Sequence, residues 1–169
     1  MIRRRGDGSA PSVSERRSTV VLLGATTLSQ VGALILAWRA PTMPLAADRT
    51  TAAAVALPAV WAALTLRWYS VRTLGTYFRA TIDIRPGQPV IRTGPYRYVR
   101  HPSYTGGLLA VAGAALVLND GPAWLLLTGT TLGAILYRIH TEETVLTRHL
   151  GSAYMQYAAT THRLIPGVW

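Results

Sequence analysis

Four uncharged apolar runs, 18–38, 50–66, 102–118 and 121–137, alternate with arginine-bearing polar segments along this 169-residue chain. Their lengths, 17 to 21 residues, match what a helix needs to cross a hydrocarbon core of about 30 Å. None contains Asp, Glu, Lys, Arg or His. The pattern predicts an all-α integral membrane protein with four transmembrane helices. Pro41 and Pro44 separate the first run from the second, because proline lacks a donor and clashes with the preceding turn. Pro58 lies inside the second run, where a membrane helix tolerates it as a kink. Asn119-Asp120-Gly121-Pro122 is a short turn signal, which makes the third and fourth runs an antiparallel hairpin. Gly106, Ala110 and Ala114 form a small-residue stripe on the third, suited to close helix approach.

Between the second and third runs, residues 67–101 mix apolar and charged positions and are punctuated by Gly75, Pro86-Gly87, Pro89 and Gly94-Pro95. Residues 67–80 can continue helically, with Trp68, Arg72, Gly75 and Arg79 near one face. Beyond Ile82 the prolines favour turns around a short extended piece, 88–92. After the fourth run, residues 138–150 read as a helix stopping at Gly151, a natural C-cap. The expected organisation is a disordered basic tail over 1–17, two N-terminal spans over 18–72, and over 73–169 a connector, a helical hairpin, a C-terminal helix and its tail.

Charge fixes an expected orientation. The chain carries a formal +10, and all 17 basic residues are arginine. With a cytoplasmic N-terminus and four spans, only Arg39 and Arg49 fall outside the cytoplasmic segments, as the positive-inside rule demands. Both termini and the two polar segments then lie at the cytoplasmic face of a membrane, the inner or plasma membrane in a bacterium. Arginines flanking apolar runs favour anionic membrane lipids over nucleic acid as partners. The absence of cysteine excludes disulfides, thiolate metal sites and a cysteine nucleophile. His140 and His149 are too far apart for a helical metal pair. No glycine-rich phosphate loop is present, since Gly106-Gly107 inside an apolar run is not a dinucleotide fingerprint.

Candidate chemistry concentrates in 92–107, a segment rich in arginine, tyrosine, histidine and proline directly before an apolar run, and in Glu142-Glu143, two of only seven acids. The bland readings are that the glutamates neutralise Arg138 and Arg97 or Arg100, that Tyr154, Tyr157 and Trp169 are interfacial anchors, and that the arginines face lipid head groups. A small transporter or structural membrane protein is the non-enzyme alternative. A transporter usually keeps an ionisable residue inside a span, and these runs have none.

Gly94-Pro95-Tyr96-Arg97 followed by Arg100-His101-Pro102-Ser103-Tyr104-Thr105-Gly106 resembles the signature of the isoprenylcysteine carboxyl methyltransferase family. Glu142-Glu143, then Gly151, Tyr154, Tyr157 and Arg163-Leu164-Ile165-Pro166-Gly167, resemble that family's C-terminal half in order. Leu74-Gly75, Tyr77-Phe78 and residues 87–93 look like its connector. The resemblance implies an S-adenosyl-L-methionine-dependent methyltransferase, with cofactor entering from the cytosol and a lipophilic or prenylated acceptor from the bilayer. The acceptor is expected to be a carboxylate; phospholipid amines and small thiols are alternatives, and sterol-reducing proteins share a related signature. The expected cofactor site comprises Val90, Thr93, Gly94, Tyr96, His101, Pro102, Tyr104, Glu142 and Glu143, with Tyr98 as a further aromatic face. Pro102 would open a helix whose free donors suit the methionyl carboxylate. Arg100, Arg97 or Arg163 would hold an acceptor carboxylate bidentately. Glu143 is expected to face the ligand, with Glu142 pairing with arginine. His101 or Glu143 would serve as base for an amine or thiol.

Overall fold

The computed structural model describes residues 13–39, 43–78 and 88–168; most of the expected basic tail, Pro86-Gly87, Arg79 and Trp169 lie outside them. The described residues form four α-helices: α1 (Val13–Trp38), α2 (Arg49–Leu74), α3 (Pro102–Leu116) and α4 (Gly121–Thr160), with short 3-10 turns at Gly75–Tyr77 and Gly94–Arg97. The all-helical expectation holds.

Two of these helices, α1 and α2, are long and apolar enough to cross a membrane. Their apolar side chains are largely outward: Leu23, Leu28, Leu34, Leu57 and Trp61 are all exposed, as in helices surrounded by lipid rather than water. α3 has 15 residues, about 22 Å of helix at 1.5 Å per residue, and so falls short of a full hydrocarbon core by itself. The expected third run continued to Leu118, but Asn119 takes a left-handed φ of 50° and the chain turns before it. The expected tail is also shorter than its 17 residues, since 13–17 already belong to α1. The boundary expected after residue 72 falls within α2, which continues to Leu74.

Capping explains where the helices begin. Asp48 accepts from Thr51 N at 2.7 Å ahead of α2, and Asp120 accepts from Ala123 N at 2.8 Å ahead of α4. Each satisfies a donor that the first turn leaves without a helical partner. Gly75, at φ 54°, closes α2 with its N–H on the Val71 carbonyl. Within the apolar helices the hydroxyls turn inward on their own backbone, as Thr26 does on Leu22 O and Ser70 on Leu66 O.

All four helices run between the same two ends. At the far end, Asn119 Oδ1 accepts from Leu45 N at 3.0 Å and Ala46 N at 2.8 Å, and Gly121 N donates to Met43 O at 2.8 Å. The α1–α2 loop and the α3–α4 turn are thereby tied together. In between, α2 packs on α3 and α1 on α4. Small residues make this possible: a Cβ on Gly106 would lie 2.7 Å from the Ala63 carbonyl oxygen, and one on Gly113 would lie 2.8 Å from Val60 Cγ2. The packing role expected of Gly106 is met, but its partner in the contact is Gly113, while Ala114 is exposed.

Past the apolar part of α4 the helix continues without interruption to Gly151, where φ is 55° and the helix breaks. The stop expected at Gly151 is therefore real, and residues 152–160 resume as helix in a new direction. This redirected turn brings the C-terminal segment back over the start of α3.

Candidate active site

The 92–107 segment is held by main-chain bonds to the C-terminus. Arg100 N donates to His162 O at 2.7 Å and His101 N to Arg163 O at 3.0 Å, around an isolated parallel bridge between Val99 and His162. Thr105 Oγ1 adds a bond to Leu164 O at 2.8 Å. Tyr157 Oη closes the other side on Tyr96 O at 2.6 Å. Two segments some 40 to 60 residues apart thus form one unit.

Glu143 is the ionic centre of that unit. Its Oε1 accepts from Arg100 Nε at 2.8 Å and lies 3.3 Å from His101 Nε2, while Oε2 accepts from Arg163 Nε at 2.9 Å. Burial works to raise the Glu143 pKa, but the donors from His101, Arg163 and Arg100 outweigh it and lower the pKa from 4.5 to about 2. Arg100 is further fixed by the carbonyls of Ala158, at 2.8 Å, and Thr161. A charge-assisted cluster of this kind is rigid and well satisfied.

Glu142 belongs to a second chain of bonds. It accepts from Tyr104 Oη at 2.7 Å, and that hydroxyl in turn accepts from Arg138 Nε at 2.7 Å. Arg138 is buried and also donates to Thr19 Oγ1 at 2.7 Å, joining α1 to the site. Tyr104 stacks on His101 with ring centroids 5.6 Å apart.

These groups border a cavity of about 350 Å³, inside the range of about 300–1,000 Å³ usual for small-molecule sites. Of the sequence-predicted residues it brings together Val90, Tyr96, Arg100, His101, Tyr104 and Glu142. Glu142 borders the cavity and Glu143 is spent on arginine, the reverse of the expected division. Adjacent helical residues point about 100° apart, and the approach of Arg100 and Arg163 decides which is which.

Other expected residues stand back from the cavity lining. Arg97 lies over the Tyr98 ring at 4.7 Å, and Tyr98 is exposed, so neither contributes a face to the cavity. Arg163 is held by Glu143 on the outer side. Thr93 and Gly94 support the 3-10 turn, with Gly94 at φ 57° beside Thr73. Pro102 occupies the first turn of α3, as expected, and is buried.

Sequence reasoning missed four residues of the cavity wall. Tyr154 and Tyr157, whose bland reading was interfacial anchoring, are each 4% exposed and line the cavity; their three-residue spacing on a helix after Gly151 was the available signal. Arg67 and Arg138 line it too. Burial raises the pKa of Tyr96 and Tyr154, and pushes Tyr157 up to about 12. All three are neutral hydroxyls at physiological pH. Among the described residues Tyr154 Oη is buried with no hydrogen-bond partner, which in a native site calls for a ligand or water to complete it.

The fold and site define a helical protein of membrane type, with a polar, ion-paired cavity at one end of an apolar bundle. The model of the isoprenylcysteine carboxyl methyltransferase family matches residues 54–148, and the chain belongs to that family. The match starts within α2, earlier than the Leu74 from which the motifs resemble the family, and it ends before Gly151. A protein-S-isoprenylcysteine O-methyltransferase of Schizosaccharomyces pombe is 30% identical over 107 residues, covering 55% of this chain and 45% of the relative. The chain thus spans about half the length of the curated relative it matches. The solved structure of a eukaryotic intramembrane Ras methyltransferase, an isoprenylcysteine carboxyl methyltransferase, shares the fold with a TM-score of 0.67 at 21% identity, over 92% of this chain and 62% of that one.

Proposed function

We propose that this chain is an integral membrane methyltransferase that uses S-adenosyl-L-methionine to esterify the carboxylate of a lipophilic, isoprenylcysteine-type acceptor. The observation that carries the reading is the composition of the cavity. Glu142 lies beside Tyr96, Tyr154 and Tyr157, and apolar Leu22, Leu74 and Phe78 line the same space. A cofactor with an ammonium, a sulfonium and an adenine needs an acid and aromatic faces, and a lipophilic acceptor needs the apolar remainder. The unpartnered Tyr154 hydroxyl fits a polar ligand there.

When bound, the cofactor supplies an activated methyl group. Glu142 would accept from its ammonium, the tyrosines would pack against its cationic and aromatic parts, and the Glu143 cluster would hold His101 and Arg100 in place. In-line transfer to a carboxylate requires no base, since a carboxylate is ionised at neutral pH; the protein's task is alignment and exclusion of water. An amine or thiol acceptor would need a proton acceptor. Glu143, held at about 2 by its partners, is a poor base, which leaves His101 for that role.

Four crossings with the cavity at the cytoplasmic face are supported by the arginine distribution and by helices that all run between two ends. A helix as short as α3 is accommodated by local thinning of the bilayer. The test is to supply labelled S-adenosylmethionine and membrane extract to the reconstituted protein. Label in a base-labile ester is expected. Label in a lipid amine, in a thioether or nowhere contradicts the reading.

A further inference from the structure

Among the described residues three guanidinium groups border the cavity, from Arg67, Arg100 and Arg138, and they are held differently. Arg100 and Arg138 are each fixed through Nε, at the base of the fork, by Glu143 and Tyr104 respectively. Among the described residues, Arg67 hydrogen-bonds through Nη1 alone, to Ser103 O at 3.0 Å and Ser103 Oγ at 3.4 Å. Its side chain is exposed, at the cavity wall. Its charge acts on Tyr96, partly offsetting the effect of burial on that hydroxyl.

The seat of Arg67 is built from two glycines. A Cβ on Gly106 would come within 3.0 Å of Arg67 Cβ, and one on Gly107 within 3.1 Å of its Nη1 and 4.0 Å of its Cζ. Gly106 lets α2 and α3 approach; Gly107 leaves the trough in which the guanidinium lies. With Nη1 tied to α3, the Nη2 and Nε donors form an edge of the fork, the geometry that pairs bidentately with a planar anion.

We propose that Arg67 is the residue that binds the acceptor's carboxylate, and that the Gly106-Gly107 pair exists to seat it. The term acceptor rests on the methyltransferase reading; an anion subsite at Arg67 does not. The same donor edge fits a lipid phosphate, so the source of the anion has to be separated in the measurement.

The experiment compares binding of N-acetyl-S-farnesylcysteine and of its uncharged carboxamide to the full chain in zwitterionic detergent and in anionic phosphatidylglycerol vesicles. The wild type is expected to prefer the acid by about tenfold or more, the scale of a charged hydrogen-bonded pair. Arg67→Gln should abolish that preference, Arg67→Lys retain part of it, and Gly107→Ala reduce it. Cooperative thermal unfolding serves as the folding control for each variant. An acid preference absent from the wild type, or kept by a folded Arg67→Gln, overturns the proposal. A preference seen in detergent but lost in anionic vesicles also overturns it, because the site would then belong to lipid phosphate. Failure of the wild type to bind S-adenosylhomocysteine, with an Arg67-dependent acid preference intact, removes the methyltransferase reading and leaves the anion subsite standing.

Discussion

Arg100 Nε donates to Glu143 Oε1 at 2.8 Å although 43 residues separate them. This pair, rather than any local turn, fixes the C-terminal half of α4 against the start of α3. The Arg100 side chain is 8% exposed and that of Glu143 14%, so the pair is largely removed from water. Its removal is therefore a structural event before it is a chemical one.

Glu143→Gln is expected to lower stability by about 3 kcal/mol, since breaking one partner of a buried pair leaves the other charge uncompensated. Thermal unfolding in detergent measures it. The pH dependence has a definite sign. The folded pKa of Glu143 lies below its unfolded value, so its contribution is complete above about pH 4.5 and is lost as pH falls toward about 2. The substitution should flatten the acid limb of the stability curve in that window, and an unchanged limb would show that the pair contributes nothing.

Glu142→Gln should leave stability nearly unchanged while weakening S-adenosylhomocysteine binding by about tenfold, the loss of one charge-assisted bond. Tyr104→Phe should act in the same direction, because Tyr104 Oη joins Glu142 to Arg138. Equal affinity in folded Glu142→Gln and wild type would move the ammonium site elsewhere.

Gly106→Ala and Gly129→Ala make a matched pair. The first places a Cβ 2.7 Å from the Ala63 carbonyl oxygen and 2.9 Å from Arg67 N, both backbone atoms that cannot yield, whereas the second meets nothing within 4 Å. The first should cost about 1–3 kcal/mol by overpacking, and the second should be neutral or slightly stabilising. Similar melting temperatures for the two would deny the close α2–α3 contact.

How much of this was legible in the sequence depended on range. Apolar runs and the Asn119-Asp120-Gly121-Pro122 turn are local signals, and the helices follow them. The alliance of 92–107 with Glu142-Glu143 was legible because scarce acids and clustered arginines have to find one another. Which glutamate faces the cavity was not, since the answer lies in the positions of Arg100 and Arg163, brought in from elements far along the chain. Tyr154 and Tyr157 were hidden for the same reason: the change of direction at Gly151 (φ 55°) turns residues that look like membrane anchors into cavity wall. Arg67 read as the end of a span, because its seat is made of glycines, which carry no side-chain signal.

Calorimetric titration of the purified, folded chain with S-adenosylhomocysteine bears most directly on the central claim, that the cavity between α1, α3, α4 and the connector takes this cofactor. Saturable binding at one site, weakened by Glu142→Gln and by His101→Ala, is the predicted result. No detectable heat from protein that still unfolds cooperatively would contradict it.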